Sequence, residues 1–271
     1  MAKPKTSRAK QGRATSSSKG AALPARPIDI VYLGPSLPLD IARDALPAAE
    51  LRGPVAVGDV LRVVDEHVAG RTRVGRIAII DGYFERMAAV WHKELLLAIE
   101  AGIDVWGASS MGALRAAELA PFGMRGVGTI YERFASGELV CDDEVAVAHL
   151  PAEFGYTSTS IALVDMRDAL ARAKLPAADR RRLVELARGR FYRERTWENL
   201  VADAKAARVP AASIAKVASL GKATSSFAGT KASDARLLLD AMRRARKSSK
   251  PRKLVVPRTW ALAQLRATLA D

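Results

Sequence analysis

Three short apolar segments in the first half of the sequence are each followed by a helical pattern. They span residues 28–33, 76–80 and 103–106, and each ends in a turn that contains glycine. Such runs are typical of strands that are buried on both faces of a parallel sheet. Apolar residues at helical spacing predict helices over Leu39–Leu46, Asp59–Val68, Met87–Glu100, Met111–Leu119 and Thr129–Ala135. The alternation indicates an α/β fold: an open parallel sheet with flanking helices and right-handed crossovers.

The strand patterns end before the last third of the chain. Residues 141–149 are a candidate for a fourth strand, and no strand pattern follows Gly155. Further helices are predicted over residues 161–174, 178–188, 196–206, 211–218, 232–247 and 259–269. We therefore expect a basic tail over residues 1–27, an α/β core domain over residues 28–155 and an all-helical region over residues 156–271. The helical region carries no group of residues that suggests chemistry, so its expected roles are packing and contact with a partner.

The formal net charge of +14 is concentrated in two segments. Residues 1–27 carry seven Lys or Arg and residues 243–258 carry eight, with no acidic residue in either, so the rest of the chain has a net charge of −1. The first segment is too polar to bury a core, so it is predicted to be disordered. It is either a solubilising tail or an electrostatic contact for an acidic partner or a nucleic acid.

Several classes of site and location are excluded or disfavoured by composition. Cys141 is the only cysteine, which excludes an intrachain disulfide and a cysteine-built zinc site, and three histidines leave little material for a histidine metal site. We expect no metal and no cofactor. No apolar run approaches the roughly 18 residues of a membrane helix, and residues 1–27 lack the apolar block of a signal peptide. The expected location is therefore the cytoplasm, with no membrane partner.

Small and polar residues follow all three predicted strands. Ligands of open parallel sheets bind where such loops converge, at the carboxyl ends of the strands. Ser110 is flanked two residues away by Ala108 and Gly112, similar to a G-x-S-x-G nucleophile elbow with alanine for the first glycine. This turn would present a serine oxygen and the N–H groups of a helix start to an oxyanion, a carboxylate or a thiocarboxylate. The alternative is that a serine merely caps the helix, worth about 1 kcal/mol. In these loops Ser110 is the catalytic candidate, and the candidates for binding an anion or substrate are Ser36, Gly82, Ser109 and Gly112.

Four charged or titratable side chains are further candidates. Asp81 lies at the end of the central predicted strand. It is either a catalytic carboxylate or part of an Asp-Gly turn. Arg115 lies near a helix start, where a cation opposes the helix dipole, and it either serves an anionic ligand or pairs with Glu118. Glu94 points toward a buried stripe, so it is either paired or catalytic. His92 lies about 200° around the same helix from Glu94, so the two cannot face one point, and His92 is either structural or catalytic.

Two weaker hypotheses concern residues 141–149. Ser110, Asp142 or Asp143, and His149 follow the chain order of an α/β-hydrolase triad, but the acid and the histidine are close together in sequence. Cys141 could carry sulfur as a persulfide, yet no basic neighbour favours its thiolate and three acids follow it.

Five segments together resemble the TfuA-like family. They are YLGPSLP (32–38), IIDGYFE (79–85), VWHKEL (90–95), GASSMGALRAAELAPFGM (107–124) and DDEVAVAH followed by PAE (142–153). The resemblance runs from about residue 29 to residue 155, and it leaves out the helical region and both basic segments. It is specific, because several long motifs occur in one order.

The resemblance implies a partnership. TfuA-like proteins accompany YcaO enzymes, which use ATP to activate a backbone amide oxygen, and together they replace that oxygen with sulfur in a peptide or protein. The implied role is accessory: releasing sulfide from the thiocarboxylated C-terminus of a ThiS-like carrier and stimulating the YcaO enzyme. The Ser110 turn would then hold the acyl oxygen, Arg115 would steer the anion, and Asp81, Glu94 or His92 would position water or move protons.

Two alternatives stay open. The chain could be a non-catalytic adaptor that docks onto a YcaO enzyme through its cleft and its helical region. A weaker alternative is a protein that binds nucleic acid through its basic tails.

Overall fold

A parallel sheet of five strands forms the centre of the molecule. The computed structural model describes residues 26–84, 87–223, 229–245 and 254–270. The sheet has the order β2-β1-β3-β4-β5, and every neighbouring pair is parallel. The strands are β1 (Ile28–Tyr32), β2 (Glu50–Arg52), β3 (Val74–Ile79), β4 (Asp104–Ala108) and β5 (Arg125–Val127). The predicted α/β fold with an open parallel sheet is confirmed.

Helices cover both faces of this sheet. Along β1, Ile30 and Tyr32 belong to one core cluster, whereas Val31 belongs to the other, as the alternation of side chains in a strand requires. The first face is covered by α2 (Asp59–Val68), α3 (His92–Glu100), α4 (Met111–Leu119) and α11 (Trp260–Ala270). The second face is covered by α1 (Leu39–Ala45) and α10 (Thr230–Arg244). Burial of both faces explains why the central strands are continuous apolar runs.

The helices after residue 155 pack in two different places. Helices α6 (Leu163–Arg172), α7 (Ala177–Gly189), α8 (Trp197–Ala206) and α9 (Ala211–Ala223) share a core of their own. Helix α10 instead packs Leu238 and Met242 against the sheet, and α11 packs Leu262 on the opposite face. Part of the predicted helical region is therefore built into the α/β core, because the apolar stripes of α10 and α11 cover strands that would otherwise be exposed.

The segment predicted as a fourth strand is not a strand. It contains a short 3₁₀ turn, Asp142–Glu144, and its last residue, His149, forms an isolated antiparallel bridge with Ser158. Val145 packs with Ile130 and Val164 in a small apolar cluster, and the buried Glu144 accepts two hydrogen bonds from Arg167 (2.7 and 2.9 Å). Apart from this bridge, side-chain packing against α5 (Thr129–Ala135) and α6 holds the segment.

Much of the basic sequence lies outside the described residues. This applies to residues 1–25 and 246–253, so the predictions of a disordered tail and of a nucleic-acid contact fall largely outside the described residues. Within the described ranges, no helix combines the length and the apolar content needed to cross a membrane.

Candidate functional site

The turn between β4 and α4 reverses the chain sharply. Ser109 has a φ of 68°, in the left-handed region, which costs a non-glycine residue about 1–2 kcal/mol. The N–H groups of Ser110 and Gly112 both donate to the carbonyl oxygen of Ile80 (3.2 and 3.3 Å). These two donors therefore tie the turn to the end of β3, which engages two of the N–H groups that the sequence analysis considered for an oxyanion. The side chain of Ser110 makes no capping hydrogen bond, so the simple capping alternative does not describe it either.

Three loops at the carboxyl edge of the sheet are joined by a buried hydrogen-bond network. The Ser109 hydroxyl donates to Ser36 Oγ (2.9 Å), and the Ser36 hydroxyl donates to Asp81 Oδ1 (2.7 Å). Asp81 Oδ2 accepts from the N–H groups of Gly34 (2.9 Å) and Ser36 (3.0 Å). Asp81, Ser36 and Ser109 are 1%, 3% and 0% exposed. We call these three side chains the Ser36–Asp81–Ser109 network.

Two cavities adjoin this network. The first, of about 380 Å³, is lined by Ser36, Asp165 and Lys231 among others. The second, of about 430 Å³, is lined by residues that include Asp81, Gly82, Ser110, Tyr83 and His149. Both also have Pro35, Val147 and Thr159 in their walls. The shared walls make the cavities neighbours at the edge where ligands of open parallel sheets bind.

Lys231 is a site residue that the sequence analysis missed. It lies in the first turn of α10, is 4% exposed, and donates from Nζ to the carbonyl oxygen of Val145 (2.7 Å). Burial lowers the pKa of Lys231, and the nearby Asp81 and Asp165 partly offset this. A signal existed in the sequence: a lysine in the first turn of a helix opposes the dipole, as we had noted for Arg115.

Ser110 and Lys231 donate to the same acceptor, the carbonyl oxygen of Val145. The Ser110 hydroxyl donates to the same Val145 carbonyl oxygen, at a longer distance of 3.4 Å. A bond of this length is weak, so a ligand with a better acceptor can replace it. The structure thus brings together Ser36, Asp81, Ser109, Ser110 and Lys231.

Glu94 has a local structural role. Its Oε2 accepts from the N–H groups of Gly58 (2.9 Å) and Leu61 (3.1 Å) at the start of α2, and its Oε1 accepts from the N–H of Trp91 (3.0 Å). The carboxylate therefore satisfies donors at the starts of two helices. Burial raises the pKa of Glu94, and the three N–H donors oppose this shift.

Substitution of Glu94 tests this assignment through pH. Because the folded-state pKa is raised, the Glu94 contribution to stability is full below the unfolded value of about 4.5 and is lost as pH rises through the folded-state pKa. We expect the free energy of unfolding of wild type, minus that of Glu94→Gln, to fall with rising pH in this window. Urea unfolding at pH steps upward from 4.5 measures it. A difference that grows with pH would mean that the N–H donors outweigh burial.

His92, Arg115 and Glu118 form a separate cluster. Arg115 Nη1 and His92 Nε2 both lie 2.7 Å from Glu118 Oε2, and the side chain of His92 is 47% exposed. The helical pair of Arg115 with Glu118 is therefore present. Arg115 lines a surface groove with the exposed Cys141.

The residues of the triad hypothesis have other partners. Asp143 pairs with the buried Arg195 (2.5 Å), and the Nδ1 of His149 lies 2.8 Å from the carbonyl oxygen of Leu150. Within the described part of the chain, no hydrogen bond links Ser110, His149 and either aspartate, although Ser110 and His149 both line the second cavity. In the same part of the chain, no cluster of His, Cys, Asp or Glu could hold a metal ion.

Comparison with protein families gives one match. Residues 81–196 match the family model described as TfuA-like protein, which confirms the resemblance noted in the sequence. The match differs from the predicted range of 29–155 at both ends. It includes Asp81, Ser109, Ser110 and helices α6 and α7, and it leaves out Ser36 and Lys231. A search of curated proteins finds no match.

Proposed function

Residues 81–196 are TfuA-like, and from that premise we propose that this chain is an accessory protein of YcaO-dependent backbone thioamidation. It accepts a ThiS-like sulfur carrier whose C-terminus is a thiocarboxylate, releases sulfide by hydrolysis, and stimulates the YcaO enzyme. The peptide or protein substrate is bound by that enzyme. Water attacks the acyl carbon, and a thiocarboxylate plus water gives a carboxylate, HS⁻ and one proton.

The observation that carries this proposal is the Ser36–Asp81–Ser109 network beside the two cavities. The Ser36 hydroxyl gives its own proton to Asp81 and accepts the proton of Ser109, so a lone pair of its oxygen remains for a water. A water held there is oriented for attack. Ser110 exchanges its long bond to Val145 for one to the acyl oxygen, where negative charge develops.

The other candidate residues take structural roles in this proposal. Gly112 lets α4 approach the sheet, Glu94 satisfies helix starts, and Arg115 is paired with Glu118. Gly82 remains a wall residue of the second cavity. The chemistry is therefore assigned to the carboxyl edge of the sheet alone.

Replacement of Ser110 by alanine tests the proposal. Because the variant loses one donor to the developing oxyanion, we expect hydrolysis of a thiocarboxylated ThiS-like carrier to slow by about 100-fold. Mass spectrometry follows the replacement of sulfur by oxygen at the carrier C-terminus. Ser219→Ala is the matched control, since Ser219 is exposed and its hydroxyl donates to the carbonyl oxygen of Lys216 in its own helix. Equal rates for wild type and Ser110→Ala would remove Ser110 from the mechanism.

A second candidate, a non-catalytic adaptor, is favoured by one observation. Both oxygens of Asp81 are already satisfied by donors of the chain itself, as they would be in a purely structural tie between loops. An adaptor would co-purify with the YcaO enzyme, leave the carrier intact, and stimulate thioamidation by free sulfide even when Ser110 is substituted. Carrier hydrolysis by the wild-type protein decides between the two candidates.

A further inference from the structure

Lys231 presents an amine that the surrounding chain uses only in part. An ammonium has three N–H donors and an amine has two. Within the described residues, however, Nζ makes a single hydrogen bond, to the carbonyl oxygen of Val145. Lys231 lines the first cavity, together with Ser36. A buried polar group with an unused donor or lone pair at a cavity wall is available to a ligand.

The two carboxylates near Lys231 accept hydrogen bonds from groups other than Nζ. Asp165 Oδ1 accepts the backbone N–H of Lys231 (3.1 Å) at the start of α10, and Asp81 accepts three hydrogen bonds from Gly34 and Ser36. Nζ itself donates to a backbone carbonyl oxygen, that of Val145. The two aspartates influence Lys231 through space, while burial favours its neutral form. A neutral amine is a base, and an ammonium is not.

Two residues that line the first cavity can therefore bind the same water molecule. Ser36 Oγ has a lone pair for one proton of the water. Lys231 lines the same cavity, and its neutral amine would have a lone pair for the other proton. Ser110, which shares the Val145 oxygen with Lys231, lines the adjoining cavity. The acyl group would lie between these positions, with its oxygen toward Ser110 and its carbon toward the water.

We propose that Lys231 is the proton-transfer residue of the hydrolysis, a role that rests on the proposed function. Nζ takes a proton from water as the water oxygen bonds to the acyl carbon. As the carbon–sulfur bond breaks, the ammonium returns that proton to sulfur, and HS⁻ leaves. The carboxylic acid formed loses its remaining proton to solvent. Atoms and charge balance without an oxidant or a metal.

A structural role for Lys231 predicts a different outcome. If the lysine only supplied positive charge and a donor to Val145, a folded Lys231→Arg protein would keep its activity, because arginine keeps the charge and has donors. Arginine stays protonated and cannot act as a base at neutral pH. The arginine variant therefore separates the two roles.

The experiment measures single-turnover sulfide release from a purified ThiS-like carrier that bears a C-terminal thiocarboxylate. Lys231→Ala and Lys231→Arg are compared with wild type, and Lys216→Met, at an exposed lysine on α9, is the control. General base catalysis contributes about 10²–10⁴-fold, so we expect both Lys231 variants to lose about 100-fold or more, and added ethylamine to restore part of the rate in Lys231→Ala only. Thermal unfolding establishes that each variant is folded. If Lys231→Ala does not fold, the rate of Lys231→Arg decides.

The outcomes separate this inference from the proposed function. A wild-type protein that leaves the carrier intact overturns the proposed function and this inference with it. Wild-type hydrolysis that persists in Lys231→Ala, or that Lys231→Arg restores, overturns the role of Lys231 and leaves the proposed function standing.

Discussion

Replacing Gly112 by alanine is expected to prevent the chain from folding. A Cβ at this position would lie 1.7 Å from the carbonyl oxygen of Ile79 and 2.6 Å from its carbonyl carbon. Both are backbone atoms of the central strand β3, so no side-chain rotation can relieve the clash. Helix α4 would have to move off the sheet and take Ala116 and Leu119 out of the core. A cost above about 4 kcal/mol is comparable to the whole stability of many domains.

Soluble expression and urea unfolding measure this effect, with Gly189→Ala as the matched control. Nothing lies within 4 Å of a Cβ at Gly189, the last residue of α7. Alanine there is expected to leave stability unchanged or raise it by up to about 1 kcal/mol, because it favours the helix and reduces the freedom of the unfolded chain. A folded Gly112→Ala protein of wild-type stability would contradict the close packing of α4 against β3.

Local sequence determined those elements whose boundaries depend on nearby residues. Helices α2, α4 and α5 have the predicted bounds, because their apolar stripes and the turns before them are encoded within a few residues. The edge strands β2 and β5 were not predicted, since three residues are too few for a recognisable pattern. Their existence depends on pairing with β1 and β4.

The start of α3 shows how a distant contact moves a boundary. The predicted helix began at Met87, but the structure begins it at His92. Glu94 accepts the N–H of Trp91 and two N–H groups of α2, which fixes the first turn after Trp91. Sequence analysis correctly required a partner for a buried Glu94. It could not show that this partner is the backbone of another helix.

Only those parts of the candidate site that follow from the fold class could be predicted from the sequence. Parallel strands end at one edge, so the convergence of Ser36, Asp81 and Ser109 followed from the fold class. Lys231 lies more than a hundred residues further along the chain and reaches the site because α10 returns to the sheet. Loop geometry also decided that Ser109, not Ser110, takes the left-handed conformation, which spacing alone could not distinguish.

The second large effect is expected for Asp81→Asn, which should lower the kcat of carrier hydrolysis. In the wild-type protein the Ser36 hydroxyl donates to Asp81 Oδ1. Asp81 Oδ2 accepts hydrogen bonds from the N–H groups of Gly34 and Ser36, which require an oxygen at this position. Asparagine keeps its oxygen on those N–H groups and presents its NH₂ to Ser36, so the Ser36 hydroxyl must turn and accept. The lone pair that orients water is then lost. We expect sulfide release from the carrier to fall by about 1,000-fold, whereas stability falls by about 1–3 kcal/mol.

Rates at saturating carrier concentration, with urea unfolding of each variant, separate chemistry from folding. Asp240→Asn is the matched control, because the side chain of Asp240 on α10 is 43% exposed and pairs with Arg243 within its own helix. Ser36→Ala should lose about as much as Asp81→Asn, and the double variant little more, since both changes remove the same water acceptor. A folded Asp81→Asn protein with wild-type kcat would contradict this relay. Such a result would make the Ser36–Asp81–Ser109 network a structural tie between three loops, which is the arrangement that the adaptor candidate requires.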